Sequence, residues 1–224
     1  MTHPDPVVKV KHLKNMAISV LDFHAPPWNG LETHTLHHAM GEPPLYRPVT
    51  QFKIGYGGHA VFLIFKVMDA YVRAVAERYQ DPVFKDSCVE FFFSPAPGVA
   101  EGYFNLEVNC CGVALFEFHP GKGKEAIRIP ETVFREIGIA CHLHGKIDPE
   151  IASPLTWSLA VMLPIDILSN FRPVVWPEPG LAWRANFHKC ADLSSHPHWL
   201  TWAKIDFPTP RFHLPEFFGT LLFQ

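Results

Sequence analysis

Proline and glycine interrupt this chain too often for a bundle of long helices. There are 22 prolines and 14 glycines among 224 residues. Each proline inside a helix removes a hydrogen bond and crowds the preceding turn, and each glycine adds backbone entropy that folding must remove. What survives between the breakers is mostly short runs of strand length. Hydrophobic residues make up 48% of the chain and charged residues 18%, so the chain has the material for a sizeable core and is not disordered. No repeat, low-complexity block or linker divides it. We read one domain over residues 1–224, with 1–48 as an extension packed on a core spanning 49–223.

The first 48 residues mix Pro26-Pro27, Pro43-Pro44 and Pro48 with histidines and little periodicity. One short strand is expected there, at Val7–Val10 or Ala17–Leu21, followed by a wrapping segment. Gly55-Tyr56-Gly57-Gly58 reads as a hairpin turn between strands at Thr50–Ile54 and His59–Val67. Ala70–Tyr79 has slight helical character. Leu155–Leu163 alternates as a strand that Pro164 stops, and Ile165–Asn170 has the length of one helical turn. Short strands and frequent turns predict an all-β fold, an antiparallel two-sheet β-sandwich.

Three strands carry unusual second faces. In Val89–Ser94, residues Val89, Phe91 and Phe93 share one face, with Glu90 and Phe92 on the other. In Tyr103–Asn109, apolar Phe104, Leu106 and Val108 alternate with Tyr103, Asn105, Glu107 and Asn109. In Leu181–His188, apolar Leu181, Trp183, Ala185 and Phe187 alternate with Ala182, Arg184, Asn186 and His188. Amides are poor strand formers and recur on strands for a reason. One reason is a solvated face or a cross-strand Glu90–Arg184 pair. The other is recognition of a neutral polyol, because planar carboxylate, amide and guanidinium groups match vicinal hydroxyls. An aromatic ring beside them would cover the C–H face of a sugar.

Four segments resemble family 9 carbohydrate-binding modules, of the DOMON-like superfamily: DPVFKDSCVEFFFSP (Asp81–Pro95), YFNLEVNCCG (Tyr103–Gly112), WRANFHKCAD (Trp183–Asp192) and the tail His198–Phe223. The likeness runs in order over Val49–Phe223. It implies a β-sandwich that holds the end of a sugar chain between two aromatic rings, with polar strand residues beneath. Carried onto this chain, the rings fall at Phe84 and Phe212, both phenylalanine where sugar binders of the family show tryptophan. The acidic residue after Asp86-Ser87 falls at Glu90, the next polar positions at Asn105, Glu107 and Asn109, and the late amide at Asn186. Arg184 is expected to join the hydrogen-bonding set. Trp199 or Trp202 could compensate for the smaller rings, although both read as core. The implied function is non-catalytic binding of a small saccharide or polysaccharide end, tied to carbohydrate catabolism.

Other chemistries are weaker on the residues. Glu90 and Glu107 on one face could be the carboxyl pair of a glycan hydrolase. Related DOMON domains bind haem, for which Met68 or Met162 with His188 or His213 would be candidates. Similar modules hold structural calcium, and Asp69, Asp81, Asp86 and Asp192 are loop carboxylates, but hydrogen bonding suits each better. His34 and His38 would share a helix face, but their segment is proline-flanked and does not favour a metal site; His142 and His144, on one strand face, read as surface. Cys190 lies two residues from His188, but a nucleophile needs exposure and a stabilised thiolate. Structural calcium is the one metal the resemblance implies, and no other cofactor is assigned. With net charge −3, no broad basic surface awaits nucleic acid or anionic lipid. No apolar run reaches membrane-spanning length, Met1–Pro6 does not open a secretory signal, and five cysteines at irregular spacing read as reduced thiols. A cytoplasmic location is the expectation.

Overall fold

The computed structural model describes residues 5–14, 17–121 and 123–224; Met1–Pro4, part of the leader reading, fall outside these. The early strands are β1 (Val7–His12), β2 (His34–Thr35), β3 (His38–Ala39), β4 (Val49–Gly57), β5 (Ala60–Asp69) and β6 (Val72–Ala74). Those of the middle are β7 (Cys88–Ser94), β8 (Tyr103–Asn109), β9 (Ala114–His119), β10 (Ile127–Arg128), β11 (Gly138–Cys141) and β12 (Ile147–Ile151). The last are β13 (Leu155–Pro164), β14 (Ala182–Cys190), β15 (Trp199–Thr201) and β16 (Gly219–Phe223). Among the described residues the α-helical element is one turn, α1 (Glu131–Phe134).

One layer runs β10-β9-β8-β7-β14-β16 and ends on the first half of β1, with β15 beside β14 and β3 beside β15. The other begins on the second half of β1 and continues β4-β5-β13-β11. Most neighbours are antiparallel, as alternation and short turns predict. β1 departs from this, pairing in parallel with β16 through Val7–Val10 and with β4 through Lys11–His12. The core lies where inner faces meet. Phe187 of β14 stacks on Phe52 of β4 at 3.8 Å between centroids and on Phe91 of β7 at 5.1 Å. Each buried ring removes a large apolar area from water and gains further from offset contact.

Several local expectations change. The early strand is Val7–His12, and Ala17–Leu21 is turn and coil. The hairpin is tighter than the glycine run suggests, because Gly57 still pairs with Ala60 and Gly58 takes the positive φ of 56°. Gly55 and Gly57 serve close approach instead: a Cβ there would sit 2.3 Å from Leu13 Cδ1 and 2.2 Å from Leu13 O. Val72–Ala74, expected as helix-like, pairs with β12, since Val72 and Ala74 bury on one side. His142 and His144 fall beyond the end of β11, and His34 and His38 lie on separate short strands, not on a helix.

Both outer faces are covered. Phe23, Trp28 and Leu31 of the N-terminal segment pack on Phe62, Ile64 and Ala160 of the second layer. On the first layer, Met40, Val83, Ile205, Phe212, Leu214 and Phe218 pack with Cys88, Phe92, Tyr103 and Cys190. The polar faces of β7, β8 and β14 therefore sit beneath a roof of chain.

Candidate functional site

A cleft of about 290 Å³ opens in that roof. Its floor carries Glu90, Glu107 and Cys190, and its sides Phe84, Trp199 and Phe212. Asp192, Glu117, Arg211 and His213 also line it. Phe84 comes from the 3-10 turn Val83–Lys85, which follows Asp81-Pro82, and Phe212 from the proline-rich segment before β16. A second recess, about 830 Å³, shares Arg211 and His213 and adds Tyr103 and His119.

Glu90 and Glu107 are direct cross-strand partners on β7 and β8. Both are buried, with 2% and 4% of their surface exposed. Cys190 Sγ donates to Glu90 Oε1 at 3.0 Å, and Asn105 Nδ2 donates to Glu107 Oε1 at 2.9 Å. Oε2 of each carboxyl group has no partner. An unpartnered buried acceptor is costly until something donates to it. Burial, reinforced by the neighbouring Cys190 and Glu107, pushes the Glu90 carboxyl well above the usual range. Burial also raises Glu107, to about 7, against the opposing pull of the Asn105 bond.

Behind Glu107 the support is a relay. Asn105 Oδ1 faces His119 Nε2 at 2.9 Å; since the amide nitrogen already serves Glu107, that imidazole nitrogen is the donor. The His119 ring stacks on Tyr103, centroids 4.8 Å apart and planes 5° apart. Asn105 thus orients a cleft residue without lining the cleft. Phe212 is more enclosed than a free stacking platform: it is 8% exposed, and one face lies on His188, centroids 4.0 Å apart.

Three expected residues are used elsewhere. Asn186 Oδ1 accepts from the Ala203 and Phe187 amides, and its Nδ2 donates to Ala203 O. It pins the start of the roof to β14. Arg184 donates to Thr220 Oγ1 and Phe218 O and pairs with Asp5 at 2.9 Å, a staple between strands away from the cleft. No Glu90–Arg184 pair forms; His188, not Arg184, stands opposite Glu90. Asn109 Nδ2 donates to Asp86, and its Oδ1 accepts from Cys111 and Val113, closing a turn. Asn186→Ala should cost about 1–3 kcal/mol, because it orphans the buried N–H of Ala203 and leaves that residue's C=O with Thr201 Oγ1 alone. Urea unfolding would read this loss, and an unchanged midpoint would refute the pinning role.

The structure also separates the haem candidates. Met68 and Met162 are on β5 and β13 of the second layer, paired to strands there, whereas His188 belongs to β14 and His213 to the roof over the first. Met162 packs in the cluster beneath Phe23 and Trp28, a whole sandwich away. Of the proposed calcium carboxylates, Asp86 receives Arg73, Ala76 and Asn109. Asp69 caps Ala70 and Tyr71, and Asp81 caps Glu77 and Arg78. Asp192 accepts from Trp199 Nε1 at 2.8 Å. Cys190 is buried and its thiol is pushed well up by that burial, the opposite of an activated nucleophile.

Trp199 is the cleft residue most easily missed. Leu200 and Trp202 face the core, so period two places Trp199 on the opposite side, and that alternation was the available signal. Trp202, by contrast, is core, set edge-on against Phe52 and Phe187.

The family model for carbohydrate-binding family 9 matches residues 16–223. The chain belongs to carbohydrate-binding family 9. A candidate carbohydrate-binding protein from Bacteroides uniformis ATCC 8492 is 30% identical, with 98% of this chain and 100% of that one aligned and a TM-score of 0.86. Two structures of a family 9 module from Caldicellulosiruptor kristjanssonii, one with glucose and one with cellotriose, share the fold. They are 11% identical, with TM-scores of 0.65 and 0.66 over 98% of this chain and 96% and 94% of theirs. No curated protein matches the chain significantly.

Proposed function

We propose that this family 9 protein binds a small saccharide or the end of a sugar chain, without cleaving it, in the cleft between Phe84, Trp199 and Phe212. The observation that carries this reading is the pair of buried carboxyl groups, each with an unpartnered oxygen, on the floor of a cleft walled by aromatic rings. Sugar hydroxyls would donate to or accept from Glu90 and Glu107, and the rings would cover apolar C–H faces. At about 290 Å³ the cleft is near the lower limit of about 300 Å³ for small-molecule pockets, which suits one pyranose. The adjoining recess leaves room for an attached residue. That a related module was solved with glucose and with cellotriose supports the assignment.

Hydrolysis draws no comparable support. A glycosidase places its two carboxyl groups on either side of the bond to be cut, while Glu90 and Glu107 rise side by side from paired strand positions. Titration calorimetry with glucose, cellobiose and other neutral mono- and disaccharides tests the proposal. Phe84→Ala and Glu107→Gln should each weaken binding by about 1–3 kcal/mol with the fold intact. Phe212→Ala should weaken binding and also lower stability, because it uncovers His188. Equal affinity in wild type and all three variants, or no saccharide bound at millimolar concentration, would refute the assignment.

A further inference from the structure

Beneath the cleft lies a second constellation, which shares Glu90 with the saccharide floor and adds two cysteines that saccharide recognition does not require. Cys88, Glu90 and Cys190 place one sulfur, one carboxyl oxygen and one sulfur all within 4.8 Å of one another, fully buried. Strand register explains the cluster. Cys88 of β7 stands directly opposite Cys190 of β14, and Glu90, two residues after Cys88, returns to the same face. One buried cation stands close by: Lys189, on the other face of β14, donates to the Cys190 carbonyl at 2.9 Å. Glu107, Glu117 and Asp192 line the same cleft, and Arg211, the one Lys or Arg side chain lining it, is exposed. Glu90 itself keeps one oxygen without a partner.

We propose that Cys88, Cys190 and Glu90 form a binding site for a zinc-class divalent cation at the floor of the cleft. Two thiolates and a carboxylate select such an ion over calcium or magnesium, which prefer all-oxygen shells. Three protein ligands leave a fourth tetrahedral position, and Glu90 and Cys190 line the cleft, which gives an entry path. Tetrahedral zinc with Zn–S near 2.3 Å needs donor atoms about 3–4 Å apart, so the triad must tighten by roughly 1 Å. Cys190 Sγ and Glu90 Oε1 are already at 3.0 Å. Binding expels the two thiol protons, and any proton on Glu90, to solvent, and the cation offsets two of the three negative charges left behind.

The site stands on its own geometry and does not depend on saccharide binding. The full chain, reduced and stripped with a chelator, is titrated with zinc by calorimetry and with cadmium under ultraviolet absorption. One equivalent of each is expected, with a cadmium–thiolate charge-transfer band. Cys190→Ser, Cys88→Ser and Glu90→Gln should weaken binding by roughly tenfold or more, and the cysteine variants should diminish the band. Should a serine variant fail to fold, the wild-type band decides. Absence of that band, or zinc binding unchanged in folded Cys190→Ser or Cys190→Ala, overturns the proposal. Saccharide calorimetry on metal-free and zinc-loaded protein separates the two readings. A band without sugar binding defeats only the saccharide assignment, and sugar binding without a band defeats only this one.

Discussion

Acidifying the chelator-treated protein from pH 6.5 to 4.5 is expected to remove on the order of 4 kcal/mol of stability. Burial holds His119 and His213 at about 4 and His198 at about 2, and places His188 well below its ordinary 6.5. Neighbouring charge adds to burial at His213, from His119 and Arg211, and at His198, from Lys189. Each of these groups is depressed in the folded protein. Its contribution is therefore complete above the unfolded value of 6.5 and is lost as the pH falls below it, because the unfolded chain takes up a proton that the native state refuses. Glu90 and Glu107 work the other way. Their raised values make the native state hold protons that the unfolded chain releases above its ordinary carboxyl range, so they favour the fold as the pH drops from about 7 to 4.5. Asp192, also raised by burial, adds to that side. Set against Glu107, the three histidines held at about 4 or about 2 leave a net of one to two protons near pH 5.5, on the order of 2 kcal/mol per pH unit. Beyond these, His188, His34 and His38, all lowered by burial, oppose Glu90 and Asp192. Urea midpoints at pH 7, 6 and 5 would measure the slope. A flat or rising series would mean that the histidines acquire charge in the native state.

Phe187→Ala is expected to cost about 3–5 kcal/mol. This ring is where the two layers meet: it contacts Phe52 face to face, Phe91 beside it, and Phe65 and Trp202 edge-on. Its neighbours are aromatic and held by their own strands, so they cannot collapse into the vacated volume. The cavity penalty adds to the lost transfer energy. Phe187 lies on the face of β14 opposite Cys190, the residue of that strand that lines the cleft. The variant should therefore unfold at lower denaturant while binding saccharide as wild type does below its transition. A loss under 1 kcal/mol would show that the interface repacks.

Much of the sandwich was legible because period two is a property of the backbone. In β7, β8 and β14 the alternation separated core residues from a polar set, and each set lies on one face in the structure. It could not say what covers that face. The roof, with Pro208, Pro210 and Pro215, has no periodicity to read, so its burial of Glu90 and Asn186 was invisible. The cleft floor was therefore easier to locate than its partners. Glu90 and Glu107 reach the cleft, whereas Asn186 and Arg184, equally planar and equally capable of directed hydrogen bonds, spend them on Ala203, Phe218 and Thr220. Nothing in an amide distinguishes a backbone partner from a ligand; only the distant segment that docks on it does. The glycine run before His59 misled in a related way. Its glycines admit Leu13 from far along the chain, a demand that a local turn rule does not contain.

The divided pairing of β1 has a mechanical consequence. Val7–Val10 completes one layer and Lys11–His12 the other, so a single strand stitches both sheets along one seam. β16 relies on it along Thr220–Phe223, and β4 at Gly55 and Tyr56, beyond the stretch that β2 covers. If it peeled away, both rims would be bared at once, and bare rims recruit strands from other molecules. Protection of these two rims therefore rests on a stretch of six residues remote from the cleft, and any fusion or tag that pulls on that stretch acts on both layers.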